Sequence, residues 1–200
     1  MKKIALFLVL SCAAPAAFAQ YAELWFSGGQ SLLQNRGLGT LATIGGSKDD
    51  VRLTDGFKWG FRIGFNGDNH FGHEVQYSYS RTHLEIGTGT AMTSQGMAIH
   101  AGGYNYLVYA NTEGARVRPF ATGGVQFSNY VPPGSSAYSG GGSNKFGVNY
   151  GGGVKVRLAS IYALRFDLRQ ATTPKPNFGL ALKEGWIRQT EVSAGFGIVF

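Results

Sequence analysis

Cysteine is almost absent from this chain. Cys12 is the only one in 200 residues. It lies in a segment read below as removed on export, so the remaining chain has no disulfides, thiolate nucleophiles or cysteine-held metals. Charge is scarce too, at 14% of residues against about 25% in ordinary soluble domains. Long apolar runs are missing: beyond the first twenty residues nothing approaches the ~18 consecutive apolar residues of a membrane helix. If such a chain crosses a bilayer it must do so as a closed barrel. In lipid only helices and barrels satisfy every backbone hydrogen bond. Glycine and aromatics are plentiful, with 31 Gly, 14 Phe and 10 Tyr. The glycines follow no collagen period, and the aromatics argue against disorder.

The first residues read as an export signal. Met1-Lys2-Lys3 is basic, Ile4 to Leu10 is apolar and too short to span, and Ala17-Phe18-Ala19 is an A-x-A cleavage site. Val9-Leu10-Ser11-Cys12 loosely resembles a lipoprotein cleavage box, but Leu10 departs from it. Two regions follow: a signal peptide over 1–19 and one domain over 20–200. The latter holds 16 Lys and Arg against 11 Asp and Glu, a formal charge of +5. That is far from a nucleic-acid-binding tail.

Beyond the leader the apolar residues recur with a period of two. At the carboxyl end Phe200, Ile198, Phe196, Ala194 and Val192 share one face, a strand signature. Seven further segments alternate, at about 21–33, 56–66, 71–82, 96–108, 117–129, 146–158 and 161–170. In the second, Phe57, Trp59, Phe61, Ile63 and Phe65 oppose Lys58, Gly60, Arg62 and Gly64. Each is near the ~9–11 residues of a tilted spanning strand. Residues 34–55, 83–95, 130–145 and 171–187 form long connections; 67–70, 109–116 and 159–160 are shorter. The pattern predicts an all-β, eight-stranded antiparallel up-and-down transmembrane β-barrel with four long external loops and short periplasmic turns. A soluble lipocalin-like calyx has the same period. Glycines on the polar face, aromatics near strand ends and the aromatic terminus favour the membrane form.

Three segments carry a resemblance: Val117 to Val125 (VRPFATGGV), Asn149 to Lys155 (NYGGGVK) and Leu164 to Arg169 (LRFDLR). With the last strand they are similar to the outer-membrane β-barrel domain family of the OmpA, OmpX and opacity-protein type. The resemblance covers most of the second half of the chain. It implies localisation in the cell outer membrane of a Gram-negative envelope, and members that stabilise that membrane, adhere to surfaces or form narrow pores. It also implies that Phe196, Ile198 and Phe200 act as a sorting signal for the barrel-assembly machinery.

If the apolar face meets lipid, the polar face fills the lumen. Lys58, Arg62, Lys155, Arg157, Arg165 and Arg169 then point inward with Glu74, Asp167 and Glu191, as does His100. An eight-stranded interior is just wide enough for side chains, and buried charges must be paired. The expectation is an ion-pair network of Lys58, Arg62, Glu74, Lys155, Arg165, Asp167, Arg169 and Glu191 that plugs the barrel; a small anion-preferring pore is the alternative. A lipid-modifying enzyme comes third. The known lipid A deacylase pattern needs His-x-Ser, but Gly72, Val75, Glu85 and Gly102 follow His70, His73, His83 and His100 at that spacing. No catalytic, cofactor or metal residue is assigned. His73 and Glu74 are adjacent on a strand and face opposite ways. Asp49, Asp50 and Asp55 lack calcium-loop spacing. The Gly140–Gly142 and Gly151–Gly153 runs lack the Gly-Lys-Ser/Thr of a phosphate loop. Loop cations Arg36, Lys48, Arg52, Arg81, Lys145, Lys175, Lys183 and Arg188 suit solvent or lipopolysaccharide phosphates. The expected role is non-enzymatic: envelope integrity or surface interaction, with outer-membrane lipid and lipopolysaccharide as partners and no nucleic acid. Oligomeric state is left open.

Overall fold

Strict alternation leaves each strand one face for lipid and one for the interior, and closing the sheet removes its edges. The computed structural model describes residues 21–40, 51–67, 70–87, 92–137, 142–178, 181–182 and 184–200. Eight long strands close the barrel: β1 (Tyr21–Gln34), β4 (Gly56–Asn66), β5 (Phe71–Ile86), β6 (Thr93–Tyr109), β7 (Val117–Val131), β8 (Ser143–Arg157), β9 (Tyr162–Pro174) and β11 (Trp186–Val199). Every neighbouring pair is antiparallel, and β1 against β11 joins the first strand to the last, with Phe26 opposite Phe196. No helix occurs among the described residues. Residues 1–20, which include the expected export signal, and Lys48, Asp49, Asp50, Gly140, Gly141 and Lys183 lie outside those residues.

Three short strands sit inside the segments expected as loops: β2 (Gly37–Thr40), β3 (Val51–Leu53) and β10 (Ala181–Leu182). β3 continues the sheet along β5 beyond the end of β4, pairing Leu53 with Leu84. β2 then bridges β3 and β10. The long strands also run further toward this end than the alternation suggested. β6 has 17 residues, roughly 40 Å along the axis at ~45° tilt, against an apolar band ~25 Å tall. The barrel therefore stands well clear of the membrane on the long-loop side.

The interior is layered. At the turn end Trp25 packs with Ala163 and Val199, and Leu107 with Tyr109 and Phe120. Two large rings lie over bare glycines of the neighbouring strand: Trp25 is paired with Gly197 and Phe120 with Gly153. A Cβ on Gly197 would lie 2.4 Å from the Trp25 ring, and one on Gly153 2.7 Å from Phe120. Glycine thus makes the room these rings need in a narrow barrel. Charged groups fill the middle. At the long-loop end an apolar cap of Leu33, Leu38, Val51, Leu53, Leu84, Met97, Ile99, Tyr130 and Ile187 closes the interior.

The cap overturns one expectation. Met97, Ile99 and Ala101 point inward and are buried, so His100 faces outward, where Tyr77 and its Nδ1 are 2.7 Å apart. Pairing with β5 sets this register: Ile99 lies opposite buried Ser80 and His100 opposite Tyr79. Here the interior is an apolar cap rather than a charged layer, so the apolar face of the strand turns in.

Candidate functional site: the filled lumen

Inward parity places Lys58, Arg62, Glu74, Lys155, Arg165, Asp167, Arg169 and Glu191 inside, all buried. Alternate residues of β9 supply Arg165, Asp167 and Arg169, each two residues from the next on the same face. Arg165, fully buried, reaches Glu74 at 2.5 Å with one terminal nitrogen and Asp167 at 2.9 Å with Nε. Arg169 repeats the bridge, 2.8 Å to Glu74 and 3.0 Å to Asp167, and donates to Gln76 at 3.0 Å. Two arginines and two carboxylates thus form a closed ring across the barrel, from β5 to β9.

Arg62 ties this ring to a third carboxylate. It lies 2.6 Å from Glu191, 3.6 Å from Asp167 and 3.8 Å from Glu74, and donates to Ser27 at 2.8 Å. Lys58 holds the other Glu191 oxygen at 2.6 Å. Ser193 also donates to Glu191, at 2.7 Å. Toward the long-loop end the network becomes neutral: Gln189 donates to Ser31 at 2.6 Å and Ser80 at 3.2 Å, and Tyr130 and Thr173 are 2.7 Å apart. The apolar cap lies above.

At the turn end Lys155 pairs with Glu23 and donates to the Tyr109 hydroxyl at 2.7 Å. Glu23 also accepts from Trp25 at 2.9 Å and Asn66 at 3.0 Å. At the mouth Glu113, on the β6–β7 turn, holds Arg118 and, at 3.1 Å, Arg157. Arg157 therefore closes the mouth rather than joining the central network. The Arg118 guanidinium carbon sits 3.5 Å from the Tyr109 ring centre, a cation–π contact.

Glu23, Arg118 and Glu113 were absent from the network read off the sequence. Glu23 alternates with outward Leu24 and Phe26, and Arg118 shares parity with Thr122 and Gln126, so the period already marked both as inward. Glu113 is in a turn, where no period applies. These additions matter electrostatically. Seven cations (Lys58, Arg62, Arg118, Lys155, Arg157, Arg165 and Arg169) still outnumber five carboxylates, but each lumen cation has a carboxylate partner. Two interior cavities, beside Glu23 and Lys155 and beside Lys58 and Glu191, measure about 20 and 10 Å³. That is about the volume needed to hold one water each.

Lys155 offers a clean test. Lys155→Met should cost about 3 kcal/mol in denaturant unfolding of the refolded barrel, because Glu23 is left buried and unpaired. Adding Glu23→Gln should recover most of that loss, since removing both charges is nearly neutral. Additive losses in the double variant would contradict a direct pair.

Outside the lumen, several loop cations prove occupied. Arg36 pairs with Asp55 at 3.5 Å and Arg52 with Glu85 at 2.6 Å. Lys175 is buried and donates to the Gly37 carbonyl at 2.5 Å. His73 faces outward with its Nδ1 2.5 Å from the Tyr104 hydroxyl. The outer wall carries the aromatics: Phe71 stacks on Tyr106 at 5.8 Å and Tyr162 on Phe196 at 5.5 Å near the turn end. Phe196 and Phe200 are exposed there, and Ile198 is half-buried on the same outer face.

Solved structures share this architecture. Outer membrane protein AlkL, determined in DMPC bilayers, superposes with a TM-score of 0.60 at 14% identity, covering 92% of each chain. OprG from Pseudomonas aeruginosa gives 0.57 at 12%, over 90% of this chain and 96% of that one. Neisserial surface protein A gives 0.57 at 15%, over 89% and 96%. No curated protein matches the sequence. The family model described as "Outer membrane protein beta-barrel domain" matches residues 4–200, and the family implies an outer-membrane location. With a closed eight-stranded barrel, a charged interior and an aromatic-rimmed outer wall, the chain belongs to the outer membrane protein β-barrel domain family.

Proposed function

We propose that this protein is a plugged, non-enzymatic barrel that acts through its outside. It anchors in outer-membrane lipid and lipopolysaccharide and presents its long-loop end for envelope integrity or surface contact. The observation that carries this reading is the filled lumen: two charged layers, a neutral polar layer and an apolar cap stand in series. An ion crossing it would have to displace paired charges and then traverse desolvating apolar side chains. The long-loop end supports a contact role because it is built as sheet over a packed core rather than as bare loops. On this reading residues 1–19 export the chain, and the β11 strand, with Phe196, Ile198 and Phe200 outward, is the segment the barrel-assembly machinery reads.

The test is single-channel recording of the refolded protein in a planar bilayer, on samples that show the heat-modifiable gel shift of a folded barrel. Silence is the expected result. Discrete anion-preferring openings would replace this reading with that of a small pore, and Lys58, Arg62 and Arg165 would be the residues to neutralise.

A further inference from the structure

The outer wall is not uniformly convex. Across β8, β9 and β11 runs a groove of about 720 Å³, within the ~300–1,000 Å³ range of ligand sites. Its floor is bare backbone at Gly152, and its walls are Tyr150, Val154, Phe166, Leu168 and Val192. Phe166, Leu168, Val192 and Tyr150 are all exposed, so the groove opens on the outer wall; Asp167, Arg169 and Ser193, which are buried, also border it.

The groove is polar at one end only. Toward the long-loop side its lining changes to Gln170 and Thr190, and the Tyr150 hydroxyl donates to the Gln170 side-chain carbonyl at 2.7 Å. One outward position further along β11 is Arg188, exposed, with no salt bridge to any described carboxylate. Trp186 follows it, exposed at the strand's end. From Phe200 to Arg188 is twelve strand steps, roughly 28 Å along the axis at ~45° tilt. The arginine thus lies about one apolar band, ~25 Å, above the turn-end aromatics. That is headgroup level in the outer leaflet.

We infer that this groove seats an acyl chain of a phosphorylated outer-leaflet glycolipid of the lipid A type, with Arg188 holding the phosphate. An apolar trough suits a hydrocarbon chain. The polar turn at Gln170 and Thr190 suits its ester and sugar. A guanidinium matches a phosphate as a two-point donor. The inference deepens the lipid-contact part of the proposed function and does not depend on whether the lumen conducts.

Delipidated, refolded protein in detergent micelles holding equal amounts of bis-phosphorylated lipid A and phosphatidylethanolamine, examined by native mass spectrometry, tests it. The wild type should retain lipid A in preference. Arg188→Gln should lower that retention about tenfold or more, the weight of a charge-assisted hydrogen bond. Val192→Trp should abolish retention by filling the trough. The gel shift checks that both variants fold. Equal retention by the wild type and both variants would overturn the inference, as would a preference for phosphatidylethanolamine. A wild-type dimer dispersed by Val192→Trp would also overturn it, by assigning the groove to a second copy. Since folding and bilayer silence are read separately, failure here leaves the plugged-barrel reading standing.

Discussion

Arg165→Met should be among the most damaging single changes in this barrel, lowering its unfolding free energy by about 5 kcal/mol, the upper part of the range for breaking a buried pair. Arg165 is fully buried and serves two carboxylates at once, 2.5 Å from Glu74 and 2.9 Å from Asp167. Methionine fills a similar volume, so the loss is electrostatic rather than a cavity. Arg169 and Arg62 still face Glu74 and Asp167, yet neither can occupy the position that Arg165 holds under Trp25 and Phe120, with its guanidinium carbon 5.7 and 4.6 Å from the two rings. Arg165→Lys should recover only part of the loss. An ammonium keeps the charge but not the planar fork that reaches both carboxylates. Urea titration of the refolded protein in lipid vesicles measures this. A loss below about 1 kcal/mol for Arg165→Met would mean that the network tolerates an unpaired charge through water, and would weaken the case for a sealed lumen.

The same residues show why so much of the middle of the molecule was legible. Within the membrane, both faces of each strand have a fixed environment: lipid outside, a crowded and charge-paired interior inside. Period two then assigns every side chain. Phe57 to Phe65 alternates with Lys58 to Gly64 without a break, and the structure places the two sets on opposite faces. The reading failed where that environment changes. At the cap the interior itself is apolar, so the apolar parity of β6 switches inward at Met97 and Ile99; His100 was misplaced for that reason. β2, β3 and β10 escaped notice because two to four residues are too few to show a period, and because their partners are long-range. Leu53 meets Leu84, and Leu182 meets Gly39. The outer groove was invisible for a further reason. A concavity at Gly152 depends on which neighbours flank it across two strands, and pairing register is not written in any one segment.

Leu53→Asp should open the cap without unfolding the barrel. Leu53 is fully buried on the three-residue strand β3, against Leu84 on β5 and within the cluster that includes Leu38, Val51 and Ile187. Truncating a buried leucine costs about 2–5 kcal/mol, and an unpaired carboxylate among aliphatic side chains adds a desolvation penalty. The total falls in the exceptional range above about 4–5 kcal/mol. The cap has little to set against it. β3 pairs with β5 over three residues, β10 with β2 over two, and single hydrogen bonds such as Leu53 N to Arg36 O at 3.1 Å hold the rest. Each of the eight barrel strands, by contrast, is paired along most of its length on both sides. The opening should therefore be local. Hydrogen exchange at Leu53 and Leu84 amides should speed up by about a hundredfold or more, while the Arg165 and Asp167 amides keep their protection and the heat-modifiable gel shift persists. Global loss of protection would show instead that cap and barrel fold as one unit. Conductance separates the two seals. If the charged layers close the lumen by themselves, Leu53→Asp stays silent in a planar bilayer. Openings in that variant would place the barrier in the apolar cap and reduce the ion pairs to a scaffold that shapes the lumen beneath it.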